Sequence, residues 1–212
     1  MMKKVTVLLG MSALCFAGSF QIDDFSTDQG PISTAVVPDT VTDGPTGIGG
    51  TITRELVLNT LAALLPPEFT VQVSFGTLDI TNGSGDDSQV RVIYEIPAIM
   101  IPAGATNVGL FLEIVQSDGN PTDVMVSGTA GASGSFFIPG NTMNQIVHFN
   151  IPAASFGPGS IILEFDGAPG WDLTVDSLGV NWDDPSRVPE PGTTALLGLG
   201  LAAVAFVRRS RA

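Results

Sequence analysis

One turn of the sequence has the residue types of a cation site. Asp118-Gly119-Asn120-Pro121-Thr122-Asp123 places oxygen-bearing side chains at alternate positions, and such oxygens are the ligands that Ca²⁺ prefers. The turn departs from an EF-hand loop, because it lacks the central glycine and has Thr129 in place of the final glutamate. The spacing predicts a calcium site built from Asp118, Asn120 and Asp123. The alternative is an acidic turn solvated by water.

A second candidate site pairs an aromatic ring with a carboxylate. Trp171 and Asp172 follow the turn residues Pro169 and Gly170. An indole on a loop can stack on a sugar ring while the neighbouring carboxylate binds the sugar hydroxyls. Large aromatic side chains usually find burial, so Trp171 can equally plug the end of the domain. The sequence leaves both interpretations open.

The residues that most hydrolases and zinc enzymes need are scarce in this chain. His148 is the one histidine and Cys15 the one cysteine, which argues against a zinc or thiol site. His148 shares the polar face of a strand-like segment with Asn150, a position typical of a solvated residue and not of a catalytic triad. A carboxylate pair could hydrolyse a glycoside, but with 21 acidic residues some pairs lie close by chance. We expect a non-enzymatic protein.

The charge distribution argues against nucleic-acid binding. All 21 acidic residues lie between Phe20 and Glu190, together with only three arginines, which gives this region a net charge of −18. Such a surface repels phosphate backbones and anionic lipid. The region is about 170 residues long, the length of one domain.

This central region shows the period-two alternation of β-strands. Six segments alternate clearly and four more are weaker candidates: 70–75, 89–96, 107–116, 147–151, 161–166 and 178–182, then 51–58, 123–130, 134–138 and 172–176. Turns rich in Gly, Pro, Asn and Asp separate most of them. The helix-like stretch 56–65 is stopped by Pro66-Pro67 and is interpreted as a strand running into a loop. The pattern predicts an all-β fold, a single β-sandwich or jelly roll of about ten strands over residues 20–187.

The chain begins with the features of a secretory signal peptide. Lys3 and Lys4 precede an apolar stretch over 5–16, and small residues follow at Ala17-Gly18-Ser19. We expect signal peptidase to remove residues 1–19 by cleaving after Ser19, with cleavage after Ala17 as the alternative. Cys15 leaves with this segment, so the exported domain has no disulfide and must be held by its own core.

The last 25 residues, 188–212, have three parts in a fixed order. Val188-Pro189-Glu190-Pro191 is a rigid turn, residues 192–207 are an apolar segment without charge, and residues 208–212 are a basic tail. An apolar helix followed by arginines stays in the membrane with its C-terminus in the cytoplasm. At roughly 1.5 Å per residue the apolar segment spans about 24 Å, against about 30 Å of hydrocarbon core. We therefore expect a short transmembrane helix that serves as a temporary anchor.

These three parts resemble the PEP-CTERM sorting signal of exported bacterial proteins. The resemblance implies that exosortase, a membrane enzyme, recognises and processes the tail at Pro189-Glu190-Pro191. It also implies that the apolar helix holds the protein in the inner membrane meanwhile, with its orientation fixed by Arg208, Arg209 and Arg211. An ordinary short tail anchor after a proline-rich hinge is the alternative.

Three further segments carry a second resemblance. Ile22-Asp23-Asp24-Phe25-Ser26, Gly49-Gly50-Thr51 and Arg54-Glu55-Leu56 are similar to a pattern of PEP-CTERM proteins with a β-sandwich ectodomain. The opening strand is also similar to that of jelly-roll carbohydrate-binding modules. Together the resemblances imply an exported surface or extracellular-matrix protein, handled in turn by signal peptidase and exosortase. The alternative is a carbohydrate-binding module that attaches to exopolysaccharide.

Overall fold

The computed structural model describes residues 16–33, 39–64, 68–131 and 133–184. The strands are β1 (Phe16–Asp23), β2 (Gln29–Ile32), β3 (Asp39–Ile48), β4 (Ile52–Ala62), β5 (Phe69–Ser74), β6 (Thr77–Asn82), β7 (Asp87–Ile96), β8 (Thr106–Ser117), β9 (Thr122–Ser127), β10 (Ser133–Ile138), β11 (Met143–Asn150), β12 (Gly159–Gly167) and β13 (Leu173–Asp184), with a 3₁₀ turn at Ala153–Phe156. Across these ranges, no helix is both long and apolar enough to cross a bilayer. The predicted tail, 188–212, lies outside them.

The strands form two antiparallel sheets that pack face to face. The seven-stranded sheet has the order β11-β8-β13-β6-β5-β2, and β1 pairs with the second half of one side of β13. The six-stranded sheet has the order β10-β9-β12-β7-β4-β3. One continuous apolar core lies between them. The predicted all-β sandwich is therefore confirmed.

The core is built from the alternating residues that the sequence pattern places on one face. In β7, Val90, Val92, Tyr94 and Ile96 are buried, whereas Arg91 is partly exposed. The same alternation holds in β12, where the buried residues pair in register with those of β7. Because each fully buried aliphatic or aromatic side chain contributes about 1.5–3 kcal/mol, this core can hold the domain without a disulfide.

The described residues form thirteen strands, whereas the sequence predicted about ten. The predicted segments 172–176 and 178–182 are one strand, β13, whose register against β8 shifts at three points. β3 escaped prediction because Gly44 and Pro45 interrupt its alternation. A register shift between Asp43 and Thr46 absorbs them, as a bulge on an edge strand can.

Phe75 does not lie where the alternation predicts. The alternation within 70–75 predicts Phe75 on the same face as Val71 and Val73, but Phe75 is fully exposed while those two valines are buried. Phe75 and Gly76 both have positive φ, 53° and 83°, and they join β5 to β6. A two-residue hairpin turn with positive φ at both positions matches the twist of the flanking strands. The turn therefore ends the strand one residue early.

The first strand overlaps the predicted signal peptide. Residues 1–15 lie outside the described ranges, and residues 16–19 pair with β13, from Phe16 with Asp184 to Ser19 with Asn181. The cleavage position stays a prediction, but the pairing of β1 shows how much of the strand each cleavage position would leave. Cleavage after Ser19 would remove the first half of β1, whereas cleavage after Ala17 would keep Gly18, which packs against the indole of Trp182.

A buried ion pair joins the two sheets. Arg54 of β4 and Asp23 of β1 are both inaccessible to solvent, with Nη1 and Oδ2 2.5 Å apart. Every nitrogen of the guanidinium has an acceptor, because Nε donates to Gln29 and Nη2 to the carbonyl of Thr27. The Asp23 carboxylate also accepts hydrogen bonds from the Tyr94 hydroxyl and the backbone N–H of Phe25.

Replacing Arg54 with methionine is expected to lower the free energy of unfolding by about 3–5 kcal/mol, because the change leaves the Asp23 charge buried without a partner. Arg91→Met is the matched control. Arg91 is partly exposed and lies 3.7 Å from Glu164, so its loss should cost at most about 1 kcal/mol. Urea unfolding of both variants measures the difference. Similar small losses in the two variants would contradict the structural role of the buried pair.

Candidate functional site

A polar cleft lies on the outer surface of the seven-stranded sheet, where β13 begins. It has a volume of about 270 Å³, and its walls come from β6, β8 and β13. The residues of this β13 cleft are Ile80, Thr81, Gln116, Ser117, Asp118, Asp172, Leu173 and Thr174. Hydroxyl, amide and carboxylate groups therefore face one small space.

Hydrogen bonds from neighbouring strands hold the Trp171-Asp172 segment at one wall of the cleft. The backbone N–H of Asn82 donates to Oδ1 of Asp172 at 2.7 Å, and the side-chain amide of Asn82 donates to the carbonyl of Trp171. Ser88 donates its hydroxyl proton to the Asn82 side-chain oxygen. The Asp172 carboxylate is consequently fixed in direction at the start of β13.

The position of Trp171 argues against the sugar platform, one of its two predicted roles. Its side chain is 0% exposed, and its indole N–H donates to the carbonyl of Ser88 at 3.1 Å. Gly167 leaves the room that the ring occupies, since a Cβ there would lie 2.5 Å from it. The ring offers no face to a sugar, and of the two interpretations it is the plug that describes Trp171.

The acidic turn predicted to bind calcium lies beside the same segment. The N–H of Asp118 donates to the carbonyl of Asp172, and the side-chain amide of Asn120 donates to the carbonyls of Pro169 and Gly170 at 3.3 and 3.0 Å. The structure thus brings together Asp118 and Asp172, which the sequence assigned to separate sites.

Asp123 lies on a different surface from Asp118 and Asn120, and calcium binding by these three residues stays a prediction. Asp123 is an exposed residue of β9 on the outer surface of the six-stranded sheet, opposite Asp166 and Phe137. Strand β9 begins at Thr122, whose burial turns the next side chain outward. No cluster of three or more His, Cys, Asp or Glu side chains suited to a metal occurs among the described residues. One carboxylate oxygen of Asp118 accepts the N–H of Asn120 at 3.0 Å.

The β13 cleft is acidic and partly shielded from water. Burial raises the pKa of the Asp172 carboxyl above its ordinary value, the hydrogen bond from Asn82 opposes this rise, and the nearby charge of Asp118 adds to it. Such a cleft can accept hydrogen bonds from hydroxyl groups, while Gln116 and the threonines add groups that both donate and accept.

His148 lies on the exposed face of β11 together with Asn150, as the alternation predicts. Its ring stands 6.3 Å from that of Phe111 in a tilted arrangement. This position is an open strand surface on the seven-stranded sheet.

Sequence reasoning missed Thr81, Gln116 and Thr174 as cleft residues. They come from three strands that are far apart in the chain, and only the pairing of β13 with β6 and β8 brings them together. Gln116 carried a weak signal, because it closes a predicted strand two residues before Asp118.

The predicted sorting residues Pro189, Glu190, Pro191, Arg208, Arg209 and Arg211 lie outside the described residues. β13 ends at Asp184, five residues before Pro189. A profile of the PEP-CTERM protein-sorting motif matches residues 187–210. The chain carries a PEP-CTERM sorting motif. This confirms the predicted sorting signal, and it implies an exported protein that exosortase processes and that is sorted to the cell envelope.

Several solved structures resemble the domain at low sequence identity. No curated protein matches it. The solved structure of PfGH50B is 11% identical, with a TM-score of 0.37, and covers 61% of this chain and 22% of its own. A family 11 carbohydrate-binding module from Clostridium thermocellum, in complex with a β-1,3-1,4-mixed-linked tetrasaccharide, is 10% identical, with a TM-score of 0.35 over 77% of this chain and 95% of that one. A structure described as CBM4 is 12% identical, with a TM-score of 0.32 over 55% and 77% of the two chains. Likenesses of this size say nothing about a ligand.

Asp172→Asn is expected to raise the melting temperature at neutral pH. Because the pKa of Asp172 is raised in the fold, its ionised form costs stability above that pKa, and asparagine removes the cost while keeping an acceptor for Asn82. The gain should shrink as the pH falls toward the ordinary aspartate pKa, where the wild-type carboxyl is neutral as well. Thermal unfolding of both proteins from pH 3 to pH 8 measures the difference, and a gain that does not vary with pH would refute the explanation.

Proposed function

We propose that this chain is a non-enzymatic protein of the cell surface or the extracellular matrix, sorted there by an exosortase-type system. The observation that carries the proposal is the sorting motif over 187–210, which follows the last strand of an all-β domain. The signal peptide at residues 1–19 delivers the chain across the inner membrane, and signal peptidase removes it.

Each part of the tail has a physical role in this scheme. The two prolines of Pro189-Glu190-Pro191 keep the segment extended and out of the helix, so it is accessible to a protease-like enzyme. The apolar segment 192–207 holds the protein in the inner membrane until processing. Arg208, Arg209 and Arg211 keep the C-terminus in the cytoplasm, which leaves the sandwich on the outside.

The position of the tail on the sandwich supports a presenting role for the domain. The tail follows the C-terminal end of β13, and the β13 cleft lies at the N-terminal end of the same strand. A strand of twelve residues is about 40 Å long at roughly 3.3 Å per residue. The cleft therefore lies at the end of the domain farther from the tail, and in this scheme farther from the membrane.

Changing Pro189-Glu190-Pro191 to three alanines is expected to leave the protein in the inner membrane with its tail intact. The wild-type protein from the same host should lose the tail and leave that membrane. Intact mass and membrane fractionation of the two proteins give the answer. A wild type that keeps its tail in the inner membrane would show that the segment is an ordinary anchor.

Saccharide binding is the second candidate function, and the β13 cleft favours it. Its lining offers carboxylates, an amide and hydroxyls, the groups that bind sugar hydroxyls. Its volume of about 270 Å³ is at the lower limit of small-molecule pockets, which run from about 300 Å³ upward. The cleft therefore suits a single sugar residue or a chain end, and the exopolysaccharide around the cell is the candidate source.

Gln116→Ala is expected to weaken binding to saccharides on a glycan array about fivefold or more if the cleft is the site, because truncation leaves ligand groups without partners at a cost of about 1–3 kcal/mol. Asp172→Asn should weaken it as well. Asp123→Asn is the matched control, since it removes an exposed carboxylate on the other sheet. A wild-type protein that binds no glycan would favour the purely structural role, and equal losses in all three variants would place the binding elsewhere.

A further inference from the structure

The end of the sandwich from which the tail emerges has an unusual surface. Strand register defines this tail-side end, because Asp184 pairs with Phe16, Asp183 with Thr106 at the start of β8, and Ile96 at the end of β7 with Gly159 at the start of β12. The loops that close it are 49–51, 97–105, 128–131 and 151–158.

These four loops contain no Asp, Glu, Lys or Arg. The loops at the other end of the sandwich and the strand residues beside them are acidic. They carry Glu68, Asp86, Asp87, Asp118, Asp123, Asp166 and Asp172. The strand ends beside these four loops carry Glu95, Asp183 and Asp184, so the tail-side end has three carboxylates against seven at the other end, and its loops are uncharged.

The tail-side end is also apolar. Met100 is 85% exposed there, beside a shallow depression of about 380 Å³ lined by Ala98, Ile99, Ile101, Ala153 and Phe156 among others. Met100 is therefore an exposed apolar side chain at the rim of an uncharged depression.

Backbone hydrogen bonds tie these loops into one platform. The N–H of Ile99 donates to the carbonyl of Phe156 at 3.0 Å, and that of Thr129 donates to the carbonyl of Ser155 at 3.1 Å. Gly128 sits so close to Ser155 that a Cβ would lie 2.3 Å from its side chain. The loop that carries Met100 is therefore held in place by its hydrogen bond to the neighbouring loop.

We propose that this tail-side end docks on the surface of the lipid bilayer while the tail is anchored, with Met100 and its neighbours in the interfacial layer. The proposal rests on the membrane insertion of residues 192–207 proposed above. Only seven residues separate Asp184 from Gly192, so the connecting chain reaches at most about 25–30 Å. The tail-side end is thus kept within one domain width of the membrane.

Charge and hydrophobicity both favour this orientation. The transfer of an apolar side chain from water into the interfacial layer of a membrane is favourable. The acidic end is repelled by anionic headgroups within a Debye length, about 8 Å at physiological salt. Docking would hold Pro189-Glu190-Pro191 at the membrane surface, where an enzyme embedded in the bilayer can reach it.

Two exposed methionines provide a matched pair of probe positions. Met100 lies at the tail-side end, and Met143, 68% exposed, lies at the opposite end, where it pairs with Gln116. Each is changed to cysteine in a Cys15→Ser background and labelled with an environment-sensitive fluorophore. The full-length chain is then reconstituted into vesicles that contain phosphatidylglycerol.

The probe of Met100→Cys is expected to emit at shorter wavelength and to be several-fold less sensitive to quenching by aqueous iodide than the probe of Met143→Cys. A probe at exposed Ala103 tests the surface itself, since Met100→Glu should restore quenching there and Met100→Leu should not. A chain that does not float with the vesicles would refute the anchored tail and the docking together. A chain that floats while the probes at 100 and 143 are quenched alike would refute the docking alone.

Discussion

The buried ion pair between Asp23 and Arg54 is the interaction on which the sandwich depends. A guanidinium taken out of water is tolerated only when its charge and its donors are all met, and here Asp23, Gln29 and Thr27 meet them from the N-terminal segment. Phe25 lies against the same group, with its ring centre 5.6 Å from the guanidinium carbon. The N-terminal segment belongs to one sheet and Arg54 to the other, so the pair fixes how the two sheets lie on each other. The described residues contain no cysteine, so this contact takes the place that a covalent crosslink has in many exported domains.

The alternation of residues predicted most of the sandwich because it records which side chains face the core. It worked best for β7, β8 and β12, where both neighbours are strands of the same sheet and one face is buried. It failed for β3, where a bulge interrupts the pattern, and at Phe75, where turn geometry overrides hydrophobicity. The segments around Asp23 and Arg54 both stood out in the sequence, but their contact spans 31 positions, and no local pattern encodes such a contact.

The sequence predicted some residues of the candidate site but not that they lie together in one cleft. Asp118 and Asp172 were each recognised from their turns, but the sequence does not reveal where β9 begins, and it therefore does not show that Asp123 points out from the other sheet. The cleft exists because β13 inserts between β6 and β8, a pairing between distant parts of the chain. Trp171 was also recognised in the sequence, but its residue type allowed two roles. Only its burial in the structure distinguishes the plug from a sugar-binding ring. The tail, by contrast, acts through its local sequence, and for that reason a motif of 24 residues, 187–210, could be recognised without any knowledge of the domain.

β13 also has a mechanical consequence. It is hydrogen-bonded to β8 along one side, and to β6 and β1 along successive parts of the other, and the tail continues directly from its end. Tension applied to the anchored tail would therefore pull along the strand, in shear, so that many hydrogen bonds must break together before the strand can slide. A ligand held at Asp172 would be attached to the same strand at its other end. The load between the cell and its surroundings would then pass through one strand, which is among the best supported in the domain.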